Sequence, residues 1–204
     1  MALSARDYWS KKKASYLRVN SYAKRVFQSF PKNAAVLDLG CGYGADSMYF
    51  AAHGCRVTAV DIADANIKKI QTIANEKKLP IQARRVDLAQ KLPFPSHSYD
   101  VIYAHLSLHY FDDHTTKKIF DELFRILHNG GLLFVKCKSI DDSLYGKGKK
   151  IGPDMFHSDH VRHFFSVPYM QECLTRFEVV TLRRSTSAYA GHRSACIEAA
   201  ARKI

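Results

Sequence analysis

The stretch Val-Leu-Asp-Leu-Gly-Cys-Gly-Tyr-Gly, residues 36–44, decides the fold of this chain. An apolar run that ends at an acid is typical of a buried strand. Three glycines at alternate positions let the backbone turn sharply and approach a ligand closely. After this turn, residues 45–53 carry apolar side chains at helical spacing. The sequence therefore predicts a strand, a glycine turn and a helix, an arrangement that binds a nucleoside cofactor at a strand end.

Acids follow three successive predicted strands. Asp38 precedes the glycine turn, Asp61 closes residues 56–60, and Asp87 follows residues 81–86. A single acid after a strand is commonly a helix cap or a turn residue, whereas three in this order predict a cofactor site. Asp61 lies about 20 residues beyond the glycines, where an acid accepts ribose hydroxyls. We expect Asp87 to accept the adenine amino group.

The position of Asp38 favours one class of cofactor over another. Residues 40–45 also fit the dinucleotide pattern Gly-x-Gly-x-x-Ala. However, a carboxylate just before the turn would repel a pyrophosphate. S-adenosylmethionine has no phosphate, and a carboxylate can hold its cationic methionine end. The sequence therefore favours S-adenosylmethionine as cofactor and S-adenosylhomocysteine as product.

Four motifs resemble those of class I S-adenosylmethionine-dependent methyltransferases: Asp-Leu-Gly-Cys-Gly-Tyr-Gly at 38–44, Val-Asp at 60–61, Val-Asp-Leu at 86–88 and Tyr-Asp-Val-Ile at 99–102. The resemblance covers residues 34–139 and is greatest to the small, single-domain bacterial type, which includes tellurite-resistance and small-molecule methyltransferases. It implies methyl transfer and a doubly wound, three-layer α/β fold, with a sheet of seven mostly parallel strands and an antiparallel last strand. The expected cofactor-binding residues are Asp38, Gly40, Cys41, Gly42, Gly44, Asp61, Ile62, Asp87, Leu88 and His105.

Composition predicts one soluble domain, residues 1–204, as a monomer or homodimer. The chain has 204 residues, of which 47% are hydrophobic, and no apolar stretch is long enough to span a membrane. Five cysteines without a C-x-x-C pair, and a start without a signal peptide, favour the cytoplasm. We expect a helical N-terminal arm at residues 1–33. Residues 138–165 have no periodic apolar face and are predicted to form a substrate-side loop or cap.

Alternating periodicities predict a doubly wound parallel sheet. The expected strands are 34–39, 56–61, 81–87, 99–106, 132–137, 177–185 and 195–202, and the expected helices are 45–53, 64–78, 115–128 and 167–176. The Asn-Gly-Gly string at 129–131 is predicted to end the third of these helices. Gly191 is predicted to lie in the turn of a hairpin between the last two strands.

The net charge of +12 is concentrated in the N-terminal arm. Residues 1–32 hold eight basic residues and one acid, so the arm could attract nucleic acid or an acidic substrate. Aromatic and apolar residues alternate with these charges. We therefore favour an amphipathic segment packed on the core. Tyr8 and Trp9 could also serve as a lid over the cofactor.

The segment after the fourth strand lies where an α/β sheet binds its ligands. His105 and His109 would share a face if this segment were helical. His109 is the first candidate for a catalytic base and His105 the second, the alternative being packing or cofactor contact. No third ligand accompanies them, so no metal is expected. The substrate-side candidates are His109, Tyr110, His160, Arg162, His163, Tyr189, His192 and Arg193.

The sequence is compatible with three functions. We favour methyl transfer to a small-molecule acceptor by in-line displacement in a desolvated pocket. The second is an RNA or protein methyltransferase that docks through the basic arm. Against nucleic acid, the Asn/Asp-Pro-Pro-Tyr string of base methyltransferases is absent, and residues 103–106 read Tyr-Ala-His-Leu. The third is a scaffold that binds the cofactor without turnover, which the intact acids and glycines disfavour.

Overall fold

The computed structural model describes residue 8 and residues 18–189 and 192–204, except for the side chains of residues 188, 189, 192 and 193. The strands of this part are β1 (Ala35–Leu39), β2 (Arg56–Asp61), β3 (Ile81–Arg85), β4 (Tyr99–His105), β5 (Leu127–Lys138), β6 (Lys149–Gly152), β7 (Met155–His157), β8 (Val161–His163), β9 (Phe177–Tyr189) and β10 (His192–Lys203). The helices are α1 (Ser21–Phe27), α2 (Ala45–Ala52), α3 (Asp64–Glu76), α4 (Asp113–Ile126) and α5 (Val167–Cys173), with a 3-10 turn at Leu108–Tyr110.

Seven of these strands form one sheet in the order β3-β2-β1-β4-β5-β10-β9. β1 to β5 are parallel, and β10, the last strand of the chain, is antiparallel to β5. The predicted seven-stranded fold with an antiparallel last strand is confirmed. Strand order reverses between β1 and β4. The crevice beyond their carboxyl ends is therefore where ligands of such sheets bind.

Helices cover both faces of the sheet, because side chains alternate along each strand. Leu37 and Leu39 belong to one hydrophobic cluster, to which α4 and α5 contribute. Val36 belongs to a second cluster, which includes Phe50 of α2 and Ile70 of α3. Asp38 alternates with its neighbours in β1 and lies on the side of α2. The three-layer architecture is the doubly wound arrangement that the sequence predicts.

The first described helix has the amphipathic character expected of the arm. Tyr22, Ala23 and Val26 are buried, whereas Lys24 is exposed. The side chain of Asn20 caps the helix by accepting a hydrogen bond from Ala23 N at 2.8 Å. α1 ends at Phe27, before the predicted limit near Pro31. Apart from Tyr8, residues 1–17, with Trp9 and four of the eight basic residues of the arm, lie outside the described residues.

The predicted boundaries around β5 and at the end of β3 were wrong. The Asn-Gly-Gly string at 129–131 does not end a helix, because α4 stops at Ile126 and β5 begins at the next residue. The string instead lies within β5, where the register with β4 shifts between Tyr99 and Val101 and Gly130 has a φ of 77°. Such an irregularity accommodates extra residues in one strand. β3 also ends at Arg85, so Asp87 follows it by two residues.

Residues 138–165 are more regular than the sequence predicts. β6, β7 and β8 form a separate antiparallel sheet in that order. Strands of three or four residues are too short to display a two-residue period, which explains why the pattern was missed. Phe156 is buried, and its ring contacts those of Tyr145 and Phe164.

No described helix combines the length and the apolar character that crossing a bilayer requires.

A buried acid joins α1 to the far side of the sheet. Glu198 of β10 lies within 2.5 Å of Arg25 Nη2, 2.9 Å of Arg183 Nη2 and 3.1 Å of Lys136 Nζ. The carboxylate is buried, whereas both guanidinium groups are about half exposed. Glu198 thus ties α1 and strands β5, β9 and β10 together.

Glu198→Ala should lower the free energy of unfolding by about 3 kcal/mol, because it leaves the cations around a buried position without their counter-ion. Urea denaturation measures the change. Glu178→Ala is the matched control, since Glu178 pairs with Arg202 at the surface and its loss should cost less than about 0.5 kcal/mol. Equal losses in the two variants would contradict the role assigned to Glu198.

Candidate functional site

The carboxylate of Asp38 lies in the interior at the end of β1. It is 2% exposed and accepts a hydrogen bond from Ser47 Oγ of α2 at 2.5 Å. Burial, and then the charge of Asp46, raise the pKa of Asp38 to about 8. Desolvation penalises the charged form, and the single hydroxyl donor only partly offsets it. The surroundings of Asp38 therefore favour its protonated form.

A second carboxylate, Asp46 in the first turn of α2, lies beside Asp38. It accepts hydrogen bonds from Asn20 N at 3.1 Å, from Tyr103 Oη at 2.9 Å and from Asn20 Nδ2. Burial raises its pKa, and these donors act in the opposite direction. The network joins α1, α2 and β4 across the crevice. Sequence reasoning missed Asp46 and Asn20, because an acid at a helix start and an asparagine before a helix are common caps.

Asp61 fixes the glycine turn from the end of β2. One carboxylate oxygen accepts from Gly42 N at 2.9 Å, and the other accepts from Ala63 N at 2.9 Å and Asn66 Nδ2 at 3.3 Å. Burial raises the pKa of Asp61, and its hydrogen bonds limit the rise. Ile62, the next residue, is partly buried at the same edge of the sheet.

The three glycines of the turn have left-handed φ angles of 66°, 54° and 73°, at Gly40, Gly42 and Gly44. A Cβ on Gly40 would lie 2.4 Å from Ser107 Cβ, and one on Gly44 would lie 2.7 Å from Ile70 Cγ1. A Cβ on Gly42 would meet no atom within 4 Å. The turn is therefore closely packed at its two outer glycines and open at the middle one.

Ser107 is a site residue that sequence reasoning missed. Its side chain packs against Gly40, and it is 8% exposed. Within the described part of the chain, its Oγ has no hydrogen-bond partner. A buried hydroxyl is normally satisfied, so this one is available to a ligand in the crevice.

The remaining cofactor-site candidates border this crevice. Cys41 N donates to Val60 O at 2.9 Å, and burial, followed by the charges of Asp38 and Asp61, raises the pKa of its thiol. Asp87 is exposed beyond β3 and accepts a hydrogen bond from Ala89 N at 3.0 Å. Leu88 is buried in the core. The three predicted acids thus lie at successive strand ends, two of them buried and the third exposed.

His105 and His109 do not share a helical face. β4 ends at His105, Leu106 has a left-handed φ of 55°, and His109 lies in the 3-10 turn that follows. His105 Nδ1 lies 3.4 Å from Asn20 Nδ2, which can only donate, so Nδ1 accepts. Burial, and then the charge of Lys136, lower the pKa of His105 to about 3.

His109 is 1% exposed. Burial lowers its pKa well below the usual value, and the charges of Lys138, His160 and Arg162 lower it further. Its Nδ1 has no hydrogen-bond partner among the described residues. Burial therefore favours the neutral imidazole form of both histidines in the free protein. Across the described residues, no group of three His, Cys, Asp or Glu side chains is placed to hold a metal ion.

A chain of rings begins at His109 and includes Tyr110 of the 3-10 turn, His160 between β7 and β8, and Tyr8. We call these residues the histidine cluster: Tyr8, His109, Tyr110, His160 and Arg162. The ring centroids of His109 and Tyr110 are 4.2 Å apart, those of Tyr110 and His160 are 5.2 Å apart, and those of His160 and Tyr8 are 4.3 Å apart. Arg162 donates to Ser158 Oγ at 2.8 Å and lies 3.3 Å from Asp159.

His163, a predicted substrate-side residue, faces away from this cluster. Its ring lies 4.5 Å from that of Tyr169 in α5 and 5.3 Å from that of Phe165. Because side chains alternate along β8, Arg162 and His163 point in opposite directions. Tyr189, His192 and Arg193 flank the tip of the β9–β10 hairpin, where their side chains lie outside the described ones.

A family model described as a methyltransferase domain matches residues 36–131. These residues form a methyltransferase domain. The match begins in β1 and ends in β5. It includes Asp38, Asp61, His105 and His109, and it excludes β6 to β8. The family resemblance that the motifs indicate is confirmed, and part of the histidine cluster lies outside the shared domain.

Curated relatives of the methyltransferase domain match only part of this chain. The S-adenosyl-L-methionine-dependent Diels-Alderase iccD of Talaromyces variabilis is 34% identical over 50% of this chain and 36% of that protein. The sarcosine/dimethylglycine N-methyltransferase of Aphanothece halophytica is 31% identical over 51% of this chain and 38% of that protein. The match spans little more than a third of each relative, and the reactions in their names differ.

Solved structures resemble nearly the whole chain. A SAM-dependent methyltransferase from Methanosarcina mazei has a TM-score of 0.75 at 20% identity, over 92% of this chain and 99% of that one. The 1,6-didemethyltoxoflavin-N1-methyltransferase of Burkholderia thailandensis, solved with bound 1,6-didemethyltoxoflavin and S-adenosylhomocysteine, has a TM-score of 0.69 at 21% identity, over 98% of this chain and 82% of that one. At these identities the likeness establishes the fold.

Gly42→Ala should weaken S-adenosylmethionine binding at least tenfold, because its Cβ enters the open part of the turn. The left-handed φ should cost about 1–2 kcal/mol of stability. Isothermal titration calorimetry and thermal unfolding separate the two effects. Gly130→Ala is the matched control, since Gly130 also has a left-handed φ and open surroundings. It lies near the amino-terminal end of β5, whereas the crevice lies beyond the carboxyl ends of the strands. Unchanged affinity in Gly42→Ala would contradict this placement of the ligand.

Proposed function

We propose that this protein transfers a methyl group from S-adenosylmethionine to a small-molecule acceptor. One observation carries the proposal: Asp38 and Asp61 are buried, the partly buried Asp46 lies beside Asp38, and none of the ion pairs among the described residues includes these three acids. Buried charges in proteins are normally paired. The sulfonium and ammonium of S-adenosylmethionine match the charge that this site lacks.

The residues present fit this cofactor. The carboxylate of Asp61 is oriented by Gly42 N and would accept the ribose hydroxyls at the end of β2. Asp87 would accept the adenine amino group, with Ile62 and Leu88 beside the base. The open surroundings of Gly42 and the unsatisfied Ser107 Oγ leave both room and a hydrogen-bonding group for a ligand. The remaining proposed cofactor contacts are Asp38, Gly40, Cys41, Gly44 and His105.

The histidine cluster is the proposed acceptor site. When bound, the cofactor supplies a methyl group that its sulfonium already activates, so the protein mainly has to place the acceptor and exclude water. His109 is buried close to the end of β4 and offers an unsatisfied Nδ1. Tyr110, His160 and Arg162 surround it on the side of the small sheet. We therefore propose that β6 to β8 cover the acceptor, with the hairpin residues Tyr189, His192 and Arg193 as further candidates.

The electrostatics of the histidine cluster favour an acceptor whose attacking atom is already unprotonated when it binds. His105 and His109 are weak bases in the free protein, because burial lowers their pKa values. A general base works best when its pKa lies near the operating pH. We propose that His109 orients the acceptor by a hydrogen bond and that groups which ionise readily, such as thiols or carboxylic acids, suit the site better than ammonium ions. A cytoplasmic location stays a prediction.

His109→Gln should lower turnover at least tenfold and leave S-adenosylmethionine affinity within twofold, because the histidine acts on the acceptor. Methyl transfer and calorimetric binding are measured on the same preparation. His114→Gln is the matched control, since His114 is exposed in α4. Wild-type turnover in His109→Gln would remove the residue from the acceptor site.

Incubation with a methyl-labelled cofactor and fractionated cell extract tests the proposed acceptor class. Small molecules, RNA and protein are separated after the reaction and counted. Label in the small-molecule fraction, lost with the Asp61→Ala variant, supports the proposal. Label in RNA or protein would instead support docking through the basic arm.

A further inference from the structure

The carboxylates of Asp38, Asp46 and Asp61 differ in the hydrogen bonds that stabilise their charged forms. Asp61 accepts from two backbone N–H groups and one side chain. Asp46 accepts from one backbone N–H, one amide and one phenol. Asp38 accepts from the single hydroxyl of Ser47. Because hydrogen bonds to a carboxylate favour its charged form, Asp38 is the weakest anion of the three.

Among the residues that the structure describes, no positive charge faces Asp38. Its titratable neighbours are Asp46 on α2, Asp61 on β2, the thiol of Cys41 in the turn and the phenol of Tyr103 on β4. All of these groups are acidic or neutral. Ser47 is the neutral donor. Two like charges therefore act on a desolvated acid, an arrangement in which one group retains a proton.

An independent observation indicates that a ligand belongs at this position. Ser107 Oγ is buried against Gly40, in the turn that Asp38 opens, and has no partner among the described residues. Asp38 itself is 2% exposed, so bulk solvent does not reach its carboxylate. The hydroxyl of Ser107 is thus satisfied neither by the described residues nor by bulk solvent.

We propose that Asp38 carries a proton in the free protein and that the cationic end of S-adenosylmethionine displaces it on binding. This inference rests on the proposed function. The Asp38 O–H bond breaks, its electron pair stays on the carboxylate, and the proton leaves to solvent. The buried cluster thereby exchanges one positive charge for another. Asp38 thereby determines how strongly the protein prefers S-adenosylmethionine to S-adenosylhomocysteine.

The exchange discriminates between cofactor and product. S-adenosylmethionine carries a sulfonium that S-adenosylhomocysteine lacks, and the two otherwise share their groups. The neutral product has less positive charge with which to displace the proton. Proton uptake by Asp38 after methyl transfer therefore lowers the affinity of the protein for S-adenosylhomocysteine.

The sign of the pH dependence follows from the same linkage. Burial and the charge of Asp46 raise the pKa of Asp38 to about 8. Below this pH the cofactor must displace a proton, and above it the carboxylate is already ionised. Affinity for S-adenosylmethionine should therefore rise as pH increases towards 8, and affinity for S-adenosylhomocysteine should change less.

Calorimetric titration in buffers of different ionisation enthalpy counts the protons released on binding. At about pH 7, binding of S-adenosylmethionine to the wild-type protein should release about one proton, and binding of S-adenosylhomocysteine less than about half of that. At about pH 9.5 the release should disappear, because Asp38 is then ionised before binding. Equal proton release by the two nucleosides at neutral pH would overturn the proposal.

Three variants assign the proton. Asp38→Asn should bind without the pH-dependent release, and Ser47→Ala should increase the release near pH 8, because it removes the hydroxyl that favours the anion. Asp64→Asn, which neutralises an exposed acid of α3, should behave as wild type. Release that persists in Asp38→Asn would overturn the proposal. Should that variant not fold, unchanged release in Ser47→Ala would overturn it. Failure of both nucleosides to bind the wild-type protein would instead refute the proposed function.

Discussion

The parallel pairing of β1 with both β2 and β4 is the constraint on which the rest of this structure depends. Alternation along the central strand sends Leu37 and Leu39 into one core layer and leaves Asp38 on the side of α2. A carboxylate thus enters the interior at the strand end, where the glycine turn begins. Burial of this charge is unfavourable unless something compensates it, and within the described chain only the hydroxyl of Ser47 does so.

The other parts of the site are arranged around this buried acid. Asp61 holds the glycine turn through Gly42 N, and Asn20 binds Asp46 across the crevice. The ion pairs of Glu198 anchor the helix that carries Asn20 at its start. A network of three acids, without a basic partner in the described residues, suits a cationic ligand and opposes a phosphate. Fold, electrostatics and the proposed cofactor therefore agree.

Much of the fold and part of the site could be predicted from the sequence. The acids at 38 and 61 were found because each closes an apolar run, a local pattern that indicates a strand end, whereas Asp87 was found by its order after the third predicted strand. Asp46 and Ser107 were missed because their contacts, with Asn20 and Gly40, join distant parts of the chain. His105 and His109 would share a face only in a helix, and the helix does not form because Leu106 has a left-handed φ. No residue pattern in the sequence indicates this backbone conformation. The β6–β8 sheet was not predicted, because its strands are too short to show the two-residue alternation of buried and exposed side chains.

Equilibrium dialysis with labelled S-adenosylmethionine, with and without excess pyridine dinucleotide, tests the central claim most directly. The account predicts stoichiometric retention of the sulfonium nucleoside that the dinucleotide does not reduce. Retention of the dinucleotide without uptake of S-adenosylmethionine or S-adenosylhomocysteine would contradict it, because the buried acids would then accommodate a pyrophosphate that they should repel.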